Sequence, residues 1–117
     1  MIGNRLNLSG STNGRPIKLV AIASPGTLIH TAVTGTVSFD EVYLWCSNSD
    51  IADNFLTVEF GGTTNPDDRI LNTYLIPANS TPILVVPGIS LCNGLIVRAY
   101  CPTANVLLIS GHINRLS

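Results

Sequence analysis

The sequence predicts a single all-β domain over residues 1–117: one antiparallel β-sandwich, jelly-roll-like, of about eight short strands. Three observations predict it. Turn-forming residues punctuate the chain at short intervals, at Asn13-Gly14, Pro25-Gly26, Gly35, Ser47–Asp50, Gly61-Gly62, Asn65-Pro66, Pro77, Pro87-Gly88, Asn93-Gly94 and Pro102. Between them lie short runs rich in Val, Ile, Leu, Thr and Tyr, the spacing of sandwiches and barrels. No helical stripe is sustained, because glycine or proline interrupts every window long enough to hold one.

The elements follow in order. Residues 1–16 read as an extended N-terminal arm or edge strand, with a short strand at Arg5–Ser9. Strands are expected at Ile17–Ile22, Thr27–Val33, Glu41–Cys46, Phe55–Phe60, Ile70–Ile76, Pro82–Val86, Leu95–Tyr100 and Val106–Asn114. A helical turn is allowed only around Ser49–Asn54, where Ser49 or Asp50 could cap it. Asn93-Gly94 predicts a tight hairpin between a short strand near Ile89–Cys92 and Leu95–Tyr100, since both residues accept the positive φ of a type I′ turn.

Several runs alternate with the period of two that sends successive side chains to opposite sheet faces. Val42, Leu44 and Cys46 share one face, opposite Glu41, Tyr43 and Trp45. Leu56, Val58 and Phe60 oppose Phe55, Thr57 and Glu59, while Leu95, Val97 and Ala99 oppose Ile96, Arg98 and Tyr100. The outer faces therefore carry Tyr43, Trp45, Phe55, Ile96 and Tyr100. Contiguous outward apolar area of this kind marks an interface, so Tyr43, Trp45, Ile96 and Tyr100 are the candidate interface residues.

Composition narrows the partners. Charged residues are 11% of the 117, against about 25% in ordinary soluble domains. Polarity comes instead from 10 Ser, 11 Thr and 11 Asn. A net charge of -1, one lysine and five scattered arginines give no cluster for nucleic-acid phosphates or an anionic membrane. No apolar run approaches the roughly 20 residues of a membrane helix, and the N-terminus lacks the basic start and apolar stretch of a secretory signal.

No catalytic or cofactor site is read from the residues. Cys46, Cys92 and Cys101 are odd in number and lack metal-ligand spacing, which predicts reduced, packed thiols rather than a disulfide framework or zinc site. His30 and His112 fall inside expected strands with no nucleophile motif around them. Asp50 with Asp53, and Asp67 with Asp68, are loop acids of the kind that satisfy local backbone, without a calcium-loop pattern. Gly61-Gly62-Thr63-Thr64 lacks the lysine and following helix of a phosphate loop.

From about Thr27 to Leu116, roughly three quarters of the chain, the order of features resembles small virion proteins of tailed bacteriophages. The resemblance rests on a strand before Asp40–Leu44 and a polar Ser-Asn turn, then Leu56–Thr64 with a following Pro66-Asp67. Val85–Gly88, an Asn93-Gly94 turn into Leu95–Ala99, and a closing Asn105-Val106 with Gly111–Arg115 complete it. It implies a small β-sandwich or jelly-roll subunit mounted on the virion, first of all a non-catalytic capsid decoration (cement) protein. The outward apolar faces add the expectation that it self-associates, with a trimer favoured, and docks on the major capsid protein or other virion subunits. A small tail or connector component is the alternative within that group, and a carbohydrate-binding module using exposed aromatics is the alternative outside it. The resemblance carries over no catalytic residue. Assembly in the reducing cytoplasm of a bacterial host, ending in the virion, suits unpaired cysteines, and symmetric closure would bury the outer apolar faces.

Overall fold

The computed structural model describes residues 3–117 and folds them into two antiparallel sheets with no helix among those residues. The strands are β1 (Gly3–Asn7), β2 (Ile17–Lys18), β3 (Thr27–Thr31), β4 (Phe39–Asn48), β5 (Asn54–Phe60), β6 (Arg69–Ile76), β7 (Ile83–Leu91), β8 (Ile96–Tyr100) and β9 (Leu107–Leu116). One sheet has the order β1-β9-β4-β7, with β2 also pairing β9; the other has the order β3-β8-β5-β6.

The pairings are nested: β2 with β9, β3 with β8, β4 with β7, β5 with β6. They are those of one long antiparallel ribbon rolled up so that β9 also meets β4 and β8 meets β5. From β2 onward, only the β5–β6 connection stays within one sheet.

Alternation builds the core. Along β4 every second residue is buried, with Val42, Leu44 and Cys46 fully so, and Val97 and Ala99 of β8 repeat the pattern. Leu56 and Val58, Ile109 and Ile113, Ile29 and Val86 fill the space between the sheets. The connection from residue 8 to 16 leaves the edge of the first sheet and crosses to β3. There Leu8 is buried, the Gly10 N–H donates to the Ile29 carbonyl at 2.9 Å and the Thr31 N–H to Ser9 Oγ at 2.7 Å. This strap closes the open side of the sandwich.

Several expectations are corrected. The strand expected at Ile17–Ile22 shrinks to two residues, because after Lys18 the backbone N–H groups of Val20 and Ala21 turn to the Thr27 hydroxyl. The arm strand is Gly3–Asn7 rather than Arg5–Ser9, since Ser9 has turned into the strap. No helical turn forms at Ser49–Asn54: Asn48 bonds the Asp50 N–H and the carbonyls of Ala52 and Ile76, and Asn54 already belongs to β5.

The strand expected at Pro82–Val86 continues to Leu91, with Pro87 tolerated because β7 is an edge strand. Asn93 (φ 62) and Gly94 (φ 68) do form the tight turn, closed by the Leu95 N–H on the Cys92 carbonyl at 3.2 Å. It is not a hairpin, however. β7 pairs with β4 and β8 with β3 and β5, so the turn carries the chain from one sheet to the other.

Candidate functional site

Two buried polar clusters sit where a catalytic centre would be sought. In the first, the Ser9 N–H donates to His30 Nδ1 at 3.0 Å, so His30 carries its proton on Nε2 and donates it to Asp40 Oδ2 at 2.8 Å. Asp40 also accepts from Arg115 Nε (2.8 Å) and Nη2 (3.1 Å) and from the Val33 N–H (3.1 Å). His30 is 2% exposed and Asp40 0%. Every strong acceptor here is engaged by a fixed donor, and the Ser9 hydroxyl faces Thr31, not the imidazole. The cluster ties strap, β3, β4 and β9 together.

In the second, Glu59 is fully buried although its strand face points away from the core. The connection between β2 and β3 folds over it, with the Gly26 N–H donating to Oε1 at 2.8 Å and the Ser24 hydroxyl to Oε2. Thr57, on the same face, is buried too and accepts from the Thr73 N–H at 3.1 Å. Arg98, opposite Glu59 on β8, bonds the Gly26 carbonyl at 3.3 Å. These groups lock a loop onto the sheet.

Three of the four loop acids are likewise spent on backbone and neighbouring amides. Asp50 accepts from the Ile51 N–H and Asn54, Asp53 from the Ala78 N–H, and Asp68 from the Thr64 N–H. No group of three metal-ligating side chains assembles among the described residues. Cys46 and Cys101 are buried free thiols and Cys92 is a half-buried one.

The feature left without a folding role is the outer face of the five-stranded sheet. Tyr43 and Trp45 stand on β4 and both stack on His112 of β9, with ring centroids 5.0 Å and 5.8 Å apart and planes at 17° and 30°. The Tyr43 ring lies over Gly88, where a Cβ would come within 2.6 Å of Tyr43 Cζ. β9 passes so close beneath that a Cβ on Gly111 would lie 2.0 Å from the Tyr43 carbonyl oxygen. Leu84, opposite Trp45 on β7, is 48% exposed. On the other flank Arg5 Nη2 donates to His112 Nδ1 at 3.3 Å. Burial and the Arg5 charge both hold His112 below the ordinary histidine value, so the stripe is an uncharged aromatic ridge at neutral pH.

The four expected interface residues do not form one patch. Tyr43 and Trp45 lie on the outer face of the five-stranded sheet; Ile96 and Tyr100 lie on the outer face of the four-stranded sheet. There Arg69 sits 5.7 Å over the Tyr100 ring, and Phe55 and Leu75, paired across β5 and β6, are 40% and 43% exposed.

Residue-by-residue reading missed His112 as part of the aromatic ridge, because its partners are fixed by the β4–β9 register. It also missed the gathering of Arg5, Arg15 and Lys18 on one sheet edge. A signal for that was present: no acidic residue precedes Asp40.

Comparison with protein-family models, curated proteins and solved structures finds no match to this chain.

Proposed function

We propose that this chain is a non-catalytic structural subunit, a capsid decoration (cement) protein of a bacteriophage virion, that self-associates and docks on the head shell. The rolled-ribbon connectivity is read as jelly-roll-like, an architecture shared by viral capsid and lectin domains. The observation that carries the proposal is that large apolar side chains occupy both outer faces: Tyr43, Trp45 and Leu84 on one, Phe55, Leu75, Ile96 and Tyr100 on the other. A subunit held between neighbours needs two such faces, whereas a module binding one ligand needs one. Low charge supports the same reading, since only 11% of residues would need solvent at a packed contact.

Fully burying an aromatic or large aliphatic side chain contributes about 1.5–3 kcal/mol. Several per contact are needed to offset the roughly 4–15 kcal/mol of lost translational and rotational freedom on association. Closed rotational symmetry, a trimer in the favoured form, repeats the contact around a ring.

The test is ultracentrifugation of the parent beside Trp45→Glu and Ile96→Lys, together with binding of each to capsids lacking the protein. Both variants are expected to keep the circular dichroism of the parent and to lose assembly or capsid binding. A parent that stays monomeric at tens of micromolar and ignores such capsids would overturn the proposal. So would Trp45 fluorescence that responds to glycans and not to dilution, which is the behaviour of a carbohydrate-binding module.

A further inference from the structure

We propose that the β1–β2 edge of the five-stranded sheet is a docking site for an extended acidic segment of a partner protein, added as a further strand on β1. The proposal goes beyond self-association through the sheet faces and does not depend on it.

The sandwich has four edges, and three are blunted. β3 is covered by the strap through Gly10 and Ser9 and has a register break between Leu28 and His30. β6 carries two register breaks and Thr73 at φ 57. β7 carries Pro87 and two breaks against β4. Such devices keep other strands from adding to an edge. β1 has none of them. Its five residues pair with Leu116 through His112 in unbroken register, all five are exposed, and it contains no proline. Among the described residues its other side has no backbone partner.

Charge says what the edge would take. Residues 1–39 carry Arg5, Arg15 and Lys18 and no acid, a net +3, while residues 40–117 carry a net -4. The structure collects all three cations on this edge: Arg5 on β1, Lys18 on β2 and Arg15 in the connection between them. Among the described residues none lies within 4.0 Å of a carboxylate. Beyond β1 the edge runs into a cavity of about 490 Å³ lined by Ser11, Thr12, Arg15, Pro16 and Lys18, among others. A strand laid on β1 gains main-chain hydrogen bonds, and its alternate side chains fall on the face that carries Arg5. A carboxylate just past that strand reaches Arg15 and Lys18, where the charge-assisted hydrogen bonds lie.

The test is a nitrogen-15 NMR titration of the full chain with a synthetic eight-residue peptide of alternating Val and Asp. The comparison probes are the same peptide with Asn for Asp, inorganic phosphate and single-stranded DNA. The acidic peptide is expected to shift resonances within residues 3–18 and to slow amide exchange in Gly3–Asn7. Binding should weaken several-fold with the Asn peptide, with added salt, and in Arg15→Gln/Lys18→Gln, whose exposed side chains leave the fold unchanged by circular dichroism.

Equal binding of the Asn peptide, no shifts, or shifts confined to Tyr43, Trp45 and His112 would overturn the inference. Phosphate or DNA reproducing the shifts while β1 exchange stays fast would overturn it as well, leaving an anion site without strand addition. Ultracentrifugation of the same samples reads self-association separately, so either proposal can fail alone.

Discussion

His30 Nε2 lies 2.8 Å from Asp40 Oδ2, and this buried contact joins β3, and through the Ser9 N–H on His30 Nδ1 the strap, to β4 of the five-stranded sheet. Asp40 gathers donors from β3, β4's own approach and β9, so its carboxylate ties the β3–β4 region to the distant last strand. Asp40→Ala leaves His30 and Arg115 without an acceptor. Removing one partner of a buried ion pair costs about 3–5 kcal/mol, and Arg115, 35% exposed, can recover water. A loss near the lower end, about 3 kcal/mol, is expected in the urea midpoint.

The same carboxylate gives a pH dependence of known sign. Burial raises its proton affinity, but the hydrogen bonds from Arg115 and His30, the Arg115 charge and the Val33 amide outweigh it. The carboxyl ends below its ordinary 3.8. A group held lower in the folded state contributes stability that is fully present above the unfolded value and is lost as pH falls through the folded one. Stability should therefore drop on acidification below the ordinary carboxylate range, and Asp40→Asn should flatten that limb. A parent and variant with parallel acid profiles would show that other carboxylates control it.

Gly111→Ala tests how closely β9 and β4 approach. The added methyl would sit 2.0 Å from the Tyr43 carbonyl oxygen, a backbone atom that cannot rotate away. The two central strands must separate, so a loss above about 3 kcal/mol is expected. The ridge formed by Tyr43 and His112 should loosen with it. Near-ultraviolet circular dichroism of Tyr43 and Trp45 reports this even where the variant remains folded. An unaltered spectrum and melting temperature would contradict the close approach.

Gly94→Val should lower stability by roughly 1 kcal/mol or more, because a β-branched residue resists the positive φ of 68 that the turn requires. An added Cβ would meet nothing within 4 Å beyond its chain neighbours, so the cost is conformational and not steric crowding. An unchanged melting temperature would count against the turn.

The thiols should differ in reactivity. Burial, with the adjacent Cys101 adding to it, pushes the Cys46 thiol up to about 12, so no thiolate is available at neutral pH. Labelling of the native protein should modify Cys92 first and reach Cys46 and Cys101 only on unfolding. Reductant should leave the melting curve unchanged; a large fall would reveal a disulfide.

By itself the sequence determined that the chain is all-β and where most strands run, because alternation and turn chemistry are properties of adjacent residues. Val42, Leu44 and Cys46 on one face of β4, or Val97 and Ala99 on one face of β8, are legible without any knowledge of what they pack against. What lies across the sheet is not written locally. Glu59 and Thr57 follow the outward pattern, yet both are buried: a loop more than thirty residues away folds over Glu59, and Thr57 takes the Thr73 N–H of β6. Tyr43 and Trp45 share a pattern with Ile96 and Tyr100, yet β4 and β8 belong to different sheets and the two pairs face opposite ways. Asn93-Gly94 specifies a turn but not which strands it joins. The registers that stack His112 on the aromatic ridge, line up Arg5, Arg15 and Lys18 on one edge, and bring Asp40 to both His30 and Arg115 come from pairing between distant segments. That pairing is decided by the burial of whole strands, and so only the tertiary structure settles it.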